Sequence, residues 1–422
     1  MTNVQLSDAL GDNWMIVTEE AVEKVVPTMG LVVRVIEGYG ESEESDKWAF
    51  IASPVTTQGG IAPSAVGNLL GSEISAGVYD FDLYRFNPLV DLEWENYHRH
   101  NTTEAPFMLV NGMGYLYATK ETKTLTFTGT FNTDNSKTLE NLPAGFNLVG
   151  NPFTVDAYVD RPFYQMNNEG SDIEPVENYD SYSPTTIPMC TGIMVKAEAE
   201  GESVTFSTTA PNQKSAINNG SLQMTLSKAN GRSNAFQDKA IVSFNEGTKL
   251  EKFIFNEKHA KLYIPQDGED YAIANVDRDA RPCVSTEIPV HFKATETGKY
   301  TITFNGDDMD GVKFVDKFEN TVIDLDITDC YTFIGSVDDS RDRFVLVFGD
   351  AGNASDNDIF AYQNGSDIIV TGEGTLEKYD VMGRKVSTQR MNGVETISAP
   401  AQGVYIFRLV GNGIKTQKIV VR

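Results

Sequence analysis

The side chains able to do chemistry here are four histidines, three cysteines and 60 Asp and Glu residues. His98 and His100 lie in Glu95-Asn-Tyr-His-Arg-His-Asn101, with no cysteine nearby. They also lack the i, i+4 spacing by which a helix presents two imidazoles to zinc. With His259 and His291 they form no ligand set, and the His98 and His100 pair reads as surface-loop residues. Cys190, Cys283 and Cys330 are sparse, lack metal-ligand spacing and carry no Cys–His nucleophile signature. Buried thiols are the expectation, and a Cys283–Cys330 disulfide is the alternative should two strands bring them together. No Gly-x-Ser-x-Gly elbow and no phosphate-cradling glycine loop opens a helix. A glycosidase pair of acids is available by inventory, but no acid stands in a recognisable context, and solvated carboxylates are expected. Asn305-Gly-Asp-Asp-Met-Asp-Gly311 has the composition of a calcium loop. Met309, however, occupies a needed oxygen position and no Glu comes after it at the EF-hand distance. A β-turn is expected there, with a non-EF Ca2+ site as the alternative; no other cofactor and no enzymatic activity are expected. Trp94 and Tyr97, flanked by acids, are able to stack on a sugar ring, but capping a sandwich core is the expected role.

The composition limits partners and class. The chain has 422 residues, 40% of them hydrophobic, with 35 Gly and 16 Pro. That length suggests two to four domains, and the turn-rich composition favours β structure. A formal charge of −26 argues against nucleic acid as a partner, and against an anionic membrane as the default one. Residues 359–422 reverse the sign: eight Lys/Arg face five Asp/Glu, a net +3 that leaves −29 for the remainder. This points to a separate C-terminal module. No run of 18 apolar residues is present. Val25 to Val35 is apolar, but Glu19, Glu20 and Glu23 precede it and Pro27 and Gly30 interrupt it, so it does not read as a signal peptide.

The elements that must position these residues read as all-β: tandem antiparallel β-sandwiches, jelly-roll-like or Ig-like, ending in a small Ig-like sandwich. Residues 1–211 form the first domain, with an internal duplication at about 48–131 and 146–209. Trp48-Ala-Phe-Ile-Ala-Ser-Pro-Val55 aligns with Phe146-Asn-Leu-Val-Gly-Asn-Pro-Phe153, and Gly114–Ala118 with Gly192–Ala197. Thr124-Leu-Thr-Phe-Thr128 aligns with Ser203-Val-Thr-Phe-Ser207. Each unit is an aromatic-led strand ended by proline, a variable insert, a glycine-led strand and a Thr-rich strand. The two halves are expected either to face each other as one closed sandwich or to form two smaller ones. Asn13–Val17 and Leu31–Ile36 read as strands that complete it, with a capped turn at Thr18–Glu20. Residues 219–349 form a second sandwich, whose expected strands include Lys252–Phe255, Ile288–Lys293 and Arg343–Phe348. Residues 350–358 are an acidic linker suited to proteolytic release of the C-terminal module.

The last segment, 359–422, has three strand-length blocks in order. They are Tyr379-Asp380-x-x-Gly383-Arg384-x-Val386, then Gly403-x-Tyr405, then Lys418-Ile-Val-Val-Arg422. Met382-Gly383, Asn392-Gly393 and Gly411-Asn412-Gly413 supply tight-turn chemistry. This arrangement resembles the C-terminal sorting domain of proteins exported by the type IX (Por) secretion system. Asn147–Phe153 and Tyr84-Arg-Phe86 with Trp94-Glu-Asn-Tyr97 resemble modules of large surface proteins that carry such tails. Tyr331–Phe333 and Arg343–Phe348 resemble the closing hairpin that precedes the tail. The resemblance implies a secreted or outer-membrane surface protein of a Gram-negative bacterium, with the type IX translocon and sortase machinery as partners. It also implies tail removal and attachment to surface lipopolysaccharide. The implied sorting residues are Asp380, Gly383, Arg384, Val386, Gly403, Tyr405, Gly411, Lys415, Lys418 and Val420. Such export requires a leader, so the chain is expected to be a mature or truncated form. The alternative reading is an adhesin or carbohydrate-binding region for a glycan or host protein, or an accessory part of a larger surface hydrolase.

Overall fold

The computed structural model describes residues 14–18, 29–40, 47–90, 93–99, 106–178, 185–210, 220–230, 233–245, 247–276, 286–306, 309, 311–348, 360–364, 367–411 and 414–421. The linker 350–358, Cys283, His100, Glu19, Glu20, three acids of the Asn305–Gly311 loop and the Val420 side chain lie outside the described residues. The described elements are β-strands and two short 3-10 turns, Pro63–Ala65 and Tyr97–Arg99. The all-β, mainly antiparallel architecture is the one expected. No helix among the described residues is long and apolar enough to cross a membrane. The chain forms two compact units, Met1–Asn218 and Asn219–Arg422.

The first unit repeats one topology. In the front copy Met29–Ile36 pairs with Lys123–Thr130, and a second sheet runs Ala49–Ala52, Gly114–Thr119, Phe81–Phe86, Trp94–Asn96. In the rear copy Ser136–Leu142 pairs with Glu202–Ser207, and the second sheet runs Gly145–Gly150, Gly192–Ala197, Phe163–Met166, Ile173–Val176. Trp14–Thr18 adds to the front copy's first sheet. Period-two patterning sets the faces: Leu125 and Phe127, like Val204 and Phe206, are fully buried, with Thr124 and Thr128 turned to solvent. Each copy has a core of its own, around Val32, Leu83, Tyr117 and Phe127 in front and Val149, Phe163, Val195 and Phe206 behind, and Met189 and Cys190 of the rear copy complete the front one. Of the two arrangements expected for this region, the structure has the pair of smaller sandwiches. Each half is a sandwich, and the repeat starts one strand earlier than the aligned motifs, because the Thr-rich strand needs a ladder partner.

Reciprocal contacts join the copies. The Ala52 N–H donates to the Cys190 carbonyl at 2.8 Å and the Gly150 N–H to the Gly112 carbonyl at 2.9 Å. Ile51 bridges Thr191 as Val149 bridges Met113. These pairs exchange under an internal two-fold relation. Gly114 and Gly192 lie on it: a Cβ on Gly192 would stand 3.3 Å from the Gly114 Cα, and one on Gly114 2.7 Å from the Val149 oxygen. Ser53 and Asn151, each preceding the strand-ending proline, accept the N–H two residues on, from Val55 at 3.3 Å and Phe153 at 2.9 Å. The Asn111 amide ties both turns together, donating to the carbonyls of Ser53 at 2.9 Å and Pro152 at 3.0 Å.

In the second unit, an eleven-stranded sheet wraps one core. It is antiparallel except where Ser233–Ser243 runs parallel to Glu269–Asn275. The expected strand Lys252–Phe255 is corrected to Leu250–Glu251. The chain leaves the ladder where Lys252 turns inward to pair with buried Asp238 at 2.6 Å. Lys313–Asp316 is a strand that its charged ends conceal in the sequence. It places Asp316 against Arg343, both essentially inaccessible to solvent. Beyond this sheet, Ala361–Asn364, Asp367–Asp380, Lys385–Ser398, Gly403–Val410 and Ile414–Val421 form a separate five-stranded sheet.

Candidate functional site

The C-terminal sheet is organised by one long ribbon, Asp367–Asp380 paired with Lys385–Ser398 along its whole length. The first half of Asp367–Asp380 also pairs with Ala361–Asn364, and the second half with Gly403–Val410. Between the halves stand Gly372 and Gly374, at φ +142° and +136°, conformations that favour glycine. A Cβ on Gly374 would run into the Val410 carbonyl oxygen, and one on Gly411 into that of Glu373. The backbone thus bends over a core of Phe360, Ile368, Val370, Leu376, Phe407, Leu409 and Ile419. Gln417 links the last strand back to the first. Its Oε1 accepts from the N–H groups of Phe360 and Ala361 at 3.0 Å each, and its Nε2 donates to the Ala361 carbonyl at 2.6 Å. Ile369 faces the other way and joins the core of the preceding sandwich, so the tail's sheet abuts that domain while keeping its own interior.

The first sequence block is a loop at the end of the ribbon. Asp380 Oδ1 accepts from the N–H groups of Met382 at 2.9 Å and Arg384 at 3.0 Å, and Oδ2 accepts from the Arg384 guanidinium Nε at 2.8 Å. The Gly383 N–H donates to the Asp380 carbonyl at 2.9 Å, with Gly383 at φ +77°. The Arg384 N–H is the foremost cause that holds the Asp380 carboxyl below its ordinary range. Val386 falls in a register shift of the ladder and is half exposed. Asp380, Gly383 and Arg384 therefore meet in one turn. Gly403 and Tyr405 open the next strand, where the Tyr405 hydroxyl donates to the Ala401 carbonyl at 2.9 Å and pins the preceding connection. Gly411 sits at the crossing with Glu373, away from the Asp380 turn, and Lys415 and Lys418 are exposed on the final strand. Val420 pairs with Val404.

The outer face of this sheet has a consistent chemistry. Register aligns Lys385, Tyr379, Ile406 and Lys418 in one row, and Thr388, Glu377, Arg408 and Thr416 in the next. Glu377 meets Lys385 at 2.5 Å and Arg408 at 3.3 Å, and the hydrogen bond from Lys385 leads the causes that lower its pKa. Ile406 and Ile414 stand 37% and 61% exposed beside these charges. Sequence reasoning missed Gly372, Gly374 and Gln417. Two glycines shortly upstream of Asp380 were signal enough for a bend, whereas the role of Gln417 depends on a contact across the whole sheet.

The remaining candidates lie elsewhere. Trp94 stands in a strand, edge-on to Phe86 at 4.9 Å, and Tyr97 packs against Phe107 at 5.4 Å and on the front core. His98 stacks on Tyr79 at 3.7 Å. No group of three His, Cys, Asp or Glu suited to a metal occurs among the described residues. In the Asn305–Gly311 loop, Met309 packs on the sandwich core and the Gly311 N–H donates to Asp326 at 3.1 Å. Cys190 is fully buried at φ +55°, and burial pushes its thiol pKa up to about 12. Arg34 reaches in from the neighbouring sheet to the carbonyls of Phe50, at 2.8 Å, and Cys190.

No family model matches the chain, and no curated protein matches it. Among solved structures it is similar to one described as "Biofilm associated protein - BSP domain". The identity is 10%, over 99% of this chain and 68% of that one, with a TM-score of 0.14. At that score the likeness decides neither fold nor function.

Proposed function

We propose that this chain is a non-catalytic region of a secreted or cell-surface bacterial protein whose segment 359–422 directs type IX export across the outer membrane. Surface attachment would then occur once export is complete. The observation that carries the reading is that the tail has a sheet and an interior of its own, with the three sequence blocks that resemble a sorting domain lying on its strands and turns. A small β-module with a cationic, partly aliphatic outer face offers a folded surface for an export machine to grip. Its charge also sets it apart from the acidic remainder of the chain. The test fuses residues 350–422 to a periplasmic reporter in a host with a type IX system. Surface display is expected, and periplasmic retention of a folded fusion would overturn the reading.

A further inference from the structure

We propose that the front copy of the first unit carries a binding site for a neutral sugar, formed by Asp82, Tyr84, Asn96, Tyr39 and Trp48. Phe81–Phe86 sends Phe81 and Leu83 into the core, so Asp82 and Tyr84 stand on the opposite face. Tyr84 lies directly across from Asn96, which sets the carboxylate, the phenol and the amide side by side. The Asn96 amide donates to Asp82 Oδ1 at 3.4 Å, a long bond, and no other hydrogen bond to that carboxylate is found among the described residues. Burial raises the pKa of Asp82 and outweighs the Asn96 bond and the fields of His98 and Arg99. The charge is thus held half-buried with acceptor capacity to spare, an arrangement that detracts from stability and suits a ligand.

The aromatic partners are fixed by backbone. The Trp48 N–H donates to the Gly170 carbonyl at 2.8 Å, and a Cβ on Gly170 would press on the Trp48 backbone. The Trp48 ring stands 5.9 Å from that of Tyr84 at 67°, two half-exposed surfaces meeting at an angle. Tyr39 borders the site: its N–H donates to the carbonyl of Thr119 at 3.0 Å, which pairs with Phe81, and burial followed by the charges of Asp82 and Asp80 raises its pKa. A pyranose matches this set: its C–H face stacks on an aromatic ring, while its hydroxyls donate to the carboxylate. Two aspartates and a charge of −26 disfavour uronic, sialic and sulfated sugars. Trp94 and Tyr97 are not assigned to the site: Trp94 packs on Phe86, further along the ladder, and Tyr97 packs on Phe107 and the front core. This inference does not depend on the export reading.

The test applies the full chain to a glycan array of neutral, N-acetylated, sialylated and sulfated oligosaccharides. Methyl glycosides of glucose, galactose, mannose and N-acetylglucosamine are then titrated by tryptophan fluorescence. Neutral sugars are expected to bind. Asp82→Ala and Tyr84→Ala should each weaken binding about tenfold or more, while Thr138→Ala, in the rear copy, changes nothing. Asp82→Asn should also weaken binding while leaving the unfolding midpoint equal or higher, which a structural role for the charge would not do. Absence of any neutral-sugar binding, binding confined to acidic glycans, or affinity undiminished in Asp82→Ala would each overturn the proposal.

Discussion

Asp316 and Arg343 form the most consequential polar contact in the second unit, and Asp316→Ala tests how the sandwich is held. Asp316 is 0% exposed and Arg343 1%. The guanidinium approaches the carboxylate through Nε at 3.0 Å and Nη2 at 2.7 Å. It also donates to the Ile334 carbonyl at 2.8 Å and to Asp339 at 2.6 Å. The Tyr331 hydroxyl donates to Asp316 at 2.9 Å, and the rings of Phe333 and Phe344 lie 4.7 and 5.2 Å from the guanidinium. Burial alone would pull the Arg343 pKa down, but the Asp316 hydrogen bonds and charge more than offset it, so the group ends raised. Removing the carboxylate strips a buried cation of its two-pronged partner, leaving Asp339 to balance it, and strands a buried phenol, which costs about 3 kcal/mol, the low end for breaking a buried pair. For a unit of this length, with about 2–4 °C per kcal/mol, the midpoint should fall by roughly 10 °C. Calorimetry of the full chain reads this against an internal reference, because Trp14, Trp48 and Trp94 all lie in the first unit and report its unfolding alone. The fluorescence transition should stay in place while the other falls. Asp316→Leu combined with Arg343→Met should recover much of the loss, since the pair is removed together. A fall of under about 1 kcal/mol for Asp316→Ala would refute the reasoning.

Local geometry gives three further outcomes. Gly374→Ala should collapse the tail's sheet, seen as lost amide-exchange protection in 403–421, because its Cβ meets backbone; Gly383→Ala meets open space and should cost only the roughly 1–2 kcal/mol of a left-handed alanine. The Cys190 thiol should resist alkylation in the folded protein at pH 8 and react on unfolding, as peptide mass mapping would show, since burial holds it protonated up to about pH 12. Asp380 has a folded pKa below its ordinary value of 3.8, so its contribution is complete above that value and lost as pH falls through the lower, folded one. The Met382 and Arg384 amides should lose protection over that acid range, and Asp380→Asn should abolish the pH step.

What was legible in the residues was local. Alternating Thr and Leu/Phe in 124–128 and 203–207, the polar–Pro pairs at 53–54 and 151–152, and the turn at Asp380–Arg384 each settle a few residues by short-range sterics and hydrogen bonding. The lead strands Met29–Ile36 and Ser136–Leu142 were not recognised as parts of the repeat, because their equivalence lies in pairing with strands far along the chain rather than in shared letters. Arg34 illustrates the limit. It stands in Leu31–Ile36 where alternation predicts an apolar side chain, and only the fold reveals the Cys190 and Phe50 carbonyls it serves. The sugar-site residues were hidden similarly: Asp82 and Tyr84 look like the solvent side of a strand until Trp48 is brought beside them.

The tail raises a distinction between positions that make its fold and positions that meet a partner. Asp380, Gly383, Gly411 and Tyr405 are each accounted for by a turn, a strand crossing or a pinned connection. Loss of export in a variant at any of them would therefore report unfolding as readily as lost recognition. Lys418 differs: it is exposed in the row that contains Ile406 and Lys385, and replacing it removes charge without touching the interior. If the export machine reads the outer face, Lys418→Glu should lower export while amide protection of Phe407 and Leu409 stays native. If it reads only that the tail has folded, Lys418→Glu should export normally and Gly374→Ala should not. The two variants measured together separate a surface code from a folding checkpoint, which neither does alone.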